Sequence, residues 1–161
     1  MSARKVSLLA LFIALSVIGA SIKIPSFVGS IALDAFPAML AGVLIGKKNG
    51  AIVAAFGHLI SAYFAGFPLG PMHLVIAVEM AVLVWCFGII YQTGKKLIAG
   101  LFFILTNSFL APLPFIFILS IGFYVSILPS LLVGATFNTI IALILIPRFK
   151  KMFESSFVKV N

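Results

Sequence analysis

The chain reads as an all-α integral membrane protein: one transmembrane domain over residues 1–161, six transmembrane helices, both termini cytoplasmic. Composition is the first reason. Of 161 residues, 63% are hydrophobic and 9% charged, and the mean hydropathy is +1.32. Soluble domains carry roughly 25% charged residues, and a small one has too much surface to hide so many apolar side chains. Length is the second. A bilayer core of about 30 Å needs about 20 helical residues per crossing, so six crossings use roughly 120. Charge placement, set out below, is the third. Period-2 alternation is absent, which argues against a membrane β-barrel. The same composition excludes disordered, collagen-like and disulfide-scaffold classes, and Cys86 has no partner for an intrachain disulfide.

The first span runs from about Val6 to Ile22. It stops before Ile24-Pro25, because a residue preceding proline resists the helical region. Residues Pro25 to Ser30 form an irregular stretch, and the second span covers Asp34 to Gly46. From Ala35 to Gly46 gives only about 18 Å of helix. The segment before it must therefore complete the crossing, and irregular backbone at membrane depth must line a cavity or be buried in protein. Asp34, with Pro37 one turn on, is expected to cap this helix. The third span follows Lys47-Lys48-Asn49-Gly50 and ends near Gly66-Phe67-Pro68. The fourth starts at Gly70-Pro71 and ends near Tyr91. The fifth runs from about Leu97 to Leu119, with Pro112 and Pro114 inside it. The sixth runs from about Gly122 to Ile146 and is expected to end at Pro147.

With these spans, Arg4, Lys5, Lys47, Lys48, Lys95, Lys96, Arg148, Lys150, Lys151 and Lys159 share one side, and Lys23 alone lies on the other. Lys and Arg in short loops stay cytoplasmic. The formal charge of +8 thus reports orientation and not nucleic-acid binding. The N-terminus loosely resembles a signal peptide, but removing the first span would break this alternation.

Small residues recur at four-residue spacing: Ala10 and Ala14 in the first span, Gly42 and Gly46 in the second, Ala51 and Ala55 in the third. Such pairs let helices approach closely in lipid. Ala10 and Ala14 either pack inside the bundle or face a partner protein.

Charged residues inside a span are costly and are functional candidates by default. Glu79 is the one acid deep in a span, about 12 Å below Pro71. It is expected to meet a cationic or hydrogen-bond-donating ligand, or else to bond another helix. His73 lies near the outer end of the same helix, and His58 is mid-span in the third. Asn107 and Asn138 sit in the fifth and sixth spans, where buried amides ordinarily bond neighbouring helices. Among the 17 phenylalanines, Phe27, Phe36 and Phe67 lie near the outer mouth and suit stacking on a flat ligand. With Glu79, His73, Asp34 and Asn138 they form the candidate substrate-binding set. No phosphate-binding loop, paired carboxylates or His/Cys cluster is present. No enzymatic activity, cofactor or metal is expected, and three acids are few for a proton-coupled pump.

The segments Ile22 to Pro25, Ala38 to Gly42, Leu44 to Gly46, Asn49 to Ala54 and Phe67 to His73, with the topology and length, resemble the substrate-binding S components of energy-coupling factor (ECF) vitamin transporters. Ala10-Leu-Phe-Ile-Ala14 matches the family's Ala-x3-Ala pair. The resemblance implies an S-component-like bundle in the bacterial plasma membrane that captures a vitamin or precursor at the outer face. It implies docking of Ala10 and Ala14 on a transmembrane coupling subunit, driven by two cytoplasmic ATPases. The general pattern is most similar to members for α-ribazole, a cobalamin precursor, with riboflavin and pyridoxine types close. A structural or assembly subunit without ligand, and a self-sufficient small carrier, are the alternatives.

Overall fold

The computed structural model describes residues 3–22, 24–25 and 30–158, with side chains in 3–22 and 32–152. Helix α1 spans Ala3–Ser21. A two-residue antiparallel pair follows, β1 (Ile24–Pro25) with β2 (Ser30–Ile31). Then come α2 (Ala35–Leu44), α3 (Lys47–Phe64), α4 (Met72–Gln92) and α5 (Lys96–Leu105). A π-helical turn over Thr106–Leu110, the short α6 (Pro114–Ile118) and the long α7 (Ile121–Val158) complete the order. Among the described residues, four segments are long and apolar enough to cross a membrane: Ala3–Ser21, Met72–Gln92, Lys96–Ile118 and Ile121–Met152. Helix α3 has 18 residues but opens on Lys47-Lys48-Asn49, and α2 is a shorter apolar helix. Six helical segments therefore fit the expected spans.

The short α2 is the centre of the molecule. It contacts α1, α3, α4 and α7, and Ala35 and every residue from Pro37 to Gly42 are buried. A helix too short to span can persist here because protein surrounds it. Glycine sets its distance from α3: a Cβ on Gly50 would run into Gly42 and would sit 2.9 Å from the Ala38 carbonyl. The closest approach thus uses Gly42 with Gly50. Ala51 and Ala55 are half-buried, and Gly46 sits in the turn with φ +105°, where glycine is favoured. The core continues through Met39, Val53, Val84, Phe87 and Phe103, all fully buried.

Prolines shape the last two spans. Pro112 has no N–H to give the Ser108 carbonyl, and Ala111 N–H instead reaches five residues back to Thr106 O at 2.8 Å. The helix widens into the π turn, which leaves Asn107 on its inner side. Pro147 does not end α7 as expected: the helix continues to Val158. One lost ladder bond is outweighed there by packing, since Ala142 and Ile146 are fully buried. With 38 residues, α7 is about 57 Å long and outruns a bilayer core of about 30 Å.

Candidate functional site

The N-terminal end of α2 does not meet a close-packed neighbour. It opens on a cavity of about 190 Å³. Ala32, Asp34 and Ala35 form one wall and His58 of α3 another. Ile76 and Met80 come from α4, Phe103 from α5 and Asn107 from the π turn. The remaining wall is one face of α7: Ser130, Leu131, Gly134, Ala135 and Asn138. These α7 residues recur at three- and four-residue spacing, which puts them on one stripe. Gly134 and Ala135 are small, and that leaves the space.

Asn138 holds the entrance of α2 in place. Its Oδ1 accepts from the amides of Ala35 (3.0 Å) and Phe36 (2.9 Å). Its Nδ2 donates to the carbonyls of Ala32 (2.9 Å) and Gly134 (2.9 Å). Asn138 is therefore the cap of α2, supplied from another helix. Asp34 occupies the N-cap position but makes no capping bond. The capping role expected of Asp34 is thus corrected: of the two amides an N-cap accepts from, that of Phe36 is taken by Asn138 and Pro37 has no N–H. The Asp34 carboxylate is left at the cavity wall, half-buried.

The electrostatics follow. Helix N-termini attract anions through free N–H groups, but the amides of Ala35 and Phe36 are taken by Asn138. Among the described residues no lysine or arginine lines the cavity, and Asp34 does. Among the described residues the wall thus offers an anion no basic side chain, and its one carboxylate can accept a hydrogen bond.

The other candidates fall in different places. His73 is buried, but on the far side of His58, whose Nε2 lies 3.1 Å from His73 Nδ1. His73 also borders a second, more open pocket with Phe67 and Pro71. Phe67 is exposed in the third connection, its ring 5.6 Å from that of His73. Phe36 packs against the core, and its amide, not its ring, serves the site. Glu79 is half-buried on α4 between Ile76 and Met80 in sequence, yet is not part of the cavity wall. Phe27 lies outside the described residues. Ala10 and Ala14 are exposed, while Leu9 and Phe12 of the same helix are buried. The two alanines therefore do not pack within the bundle. Among the described residues no three His, Cys, Asp or Glu side chains converge.

Sequence reasoning did not single out Ile76, Met80, Phe103 or Ser130. The signal available was helical phase: Ser130, Leu131, Gly134 and Ala135 precede Asn138 by eight, seven, four and three positions.

A family model described as "ECF transporter, substrate-specific component" matches residues 4–160. Comparison with curated proteins returns no match.

Proposed function

The chain belongs to the substrate-specific components of ECF transporters, and from that premise we propose that it captures a compact, uncharged or weakly basic heterocycle with hydroxyl groups. The family is a transporter component, not an enzyme class, and works with an ECF module. The observation that carries the ligand class is the cavity at the start of α2: one carboxylate, no lining lysine or arginine among the described residues, and helix amides already bonded. In this reading Asp34 accepts from a ligand N–H or O–H, and Asn107 offers a donor and an acceptor. Ile76, Met80 and Phe103 enclose the ring. Asp34 thereby takes the part first given to Glu79. Ligand pockets ordinarily measure about 300–1,000 Å³, so about 190 Å³ favours a one- or two-ring heterocycle. The sequence pattern ranks the α-ribazole type first, whereas the volume by itself favours one-ring pyridoxine over α-ribazole, whose two-ring base carries a ribose, and over three-ring riboflavin.

The ligand enters from the end opposite the basic residues, which the positive-inside rule assigns to the cytoplasm of the plasma membrane. Ala10 and Ala14 form the docking face for the coupling subunit, and the two ATPases supply the energy.

Calorimetric titration of the purified protein with α-ribazole, riboflavin and pyridoxine tests this. One of them should bind at 1:1 stoichiometry. Asp34→Asn should weaken it roughly 10- to 150-fold, the loss of a charge-assisted hydrogen bond of about 1.5–3 kcal/mol. Unchanged affinity in Asp34→Asn would remove Asp34 from the site.

A further inference from the structure

Asp34 gives the cavity an acceptor. Whether the cavity also presents a fixed donor depends on His58, and a second imidazole decides it. The rings of His58 and His73 have centroids 5.2 Å apart, with His58 Nε2 3.1 Å from His73 Nδ1. Two imidazole nitrogens facing each other at this distance share one proton, and the proton must belong to one of them. The backbone of the third connection sets which. The Leu69 amide donates to His73 Nε2 at 3.4 Å, so that nitrogen is unprotonated. In a neutral ring the proton is then on Nδ1. His73 Nδ1–H therefore donates to His58 Nε2, and neutral His58 carries its own proton on Nδ1. His58 stands between two spaces, since it lines the cavity while His73 borders the outer pocket. With Nε2 given to His73, Nδ1–H is the polar group His58 has left for the cavity.

We propose that His73 is a positioning residue that locks His58 as an Nδ1–H donor, so that the cavity recognises a ligand carrying both a donor for Asp34 and an acceptor nitrogen or oxygen for His58. The ligand half of this rests on the binding function proposed above; the tautomer half does not. A heteroaromatic nitrogen beside a hydroxyl or N–H group satisfies both positions, whereas a molecule that only donates satisfies one. The relay also makes the third connection part of the specificity, because a loop amide fixes the polarity of a side chain inside the bundle.

The full-length protein, labelled with ¹⁵N-histidine in detergent micelles, gives the direct test. The chain has two histidines, so the spectrum of His73→Phe contains His58 alone. In the wild type, His58 Nδ1 should show the shift of a protonated ring nitrogen and Nε2 that of an unprotonated one. In His73→Phe this bias should fall away toward the tautomer mixture of free imidazole. His73→Asn, whose amide N–H replaces Nδ1–H, should restore it. A wild-type His58 protonated on Nε2, or one unchanged in His73→Phe, would overturn the proposal. With α-ribazole as probe, His73→Phe should bind roughly three- to tenfold more weakly, the cost of one neutral hydrogen bond, and His73→Asn should recover the affinity. Equal weakening in both variants would make His73 a packing residue and overturn its positioning role. Absence of α-ribazole binding alongside an Nδ1–H spectrum would count against the ligand half and leave the tautomer standing.

Discussion

Two polar residues, Asp34 and Asn138, divide the work at the start of α2 in a way that local sequence disguises. Asp34 followed by Pro37 has the look of a helix start. The cap comes instead from Asn138, 103 residues away from Ala35. Replacing Asn138 with leucine should strand the amides of Ala35 and Phe36. Each buried unsatisfied group costs about 1–3 kcal/mol, so Asn138→Leu should lower the thermal midpoint in detergent far more than Asp34→Asn does. Equal melting of the two variants would contradict the division. Asn138 was legible as a buried polar residue within a span; its partner was not, because helical periodicity states which face is polar and not which neighbour it meets. Glu79 illustrates the same limit. Its depth could be counted from Pro71, but its distance from the cavity wall follows from how α4 is rotated against α3 and α5.

Helix boundaries were the most legible feature, because glycine, proline and lysine act on the backbone locally. The expected ends of the first five spans fall within a few residues of those in the structure. Pro147 misled because its local cost is outweighed by burial of Ala142 and Ile146, which only packing reveals. The π turn was likewise hidden, although its cause, Pro112, was visible. At α1 the two readings of Ala10 and Ala14 separate: both are exposed beside buried Leu9 and Phe12. Replacing both with leucine should leave ligand affinity and melting unchanged and abolish co-purification with the coupling subunit. Loss of ligand binding in that variant would show the alanines to be part of the internal packing.

At the scale of the molecule, charge and packing agree on one basic end. The Leu33 amide bonds the Gly19 carbonyl, so the end of α1 meets the start of α2, and Arg4 and Lys5 lie at the far end. A Cβ on Gly88, near the end of α4, would touch Lys47 at the start of α3 (3.1 Å). Gly100, early in α5, faces Thr139 and Leu143, which sends Arg148, Lys150 and Lys151 toward the same end. In a Cys86→Ala background, Pro68→Cys should react with an impermeant thiol reagent on intact cells and Lys48→Cys should not; both positions are exposed. The reverse pattern would invert the topology. Charge alternation made this arrangement legible without coordinates, whereas the cavity, assembled from six segments, was not. With Asp34 at its wall and no lysine or arginine lining it among the described residues, the cavity is proposed to select against negative charge. Titrating the purified wild type with α-ribazole and with α-ribazole 5′-phosphate, side by side, tests it most directly. The nucleoside should bind at 1:1 and the phosphate at least about tenfold more weakly, a difference of about 1.4 kcal/mol or more. Equal or tighter binding of the phosphate would contradict it.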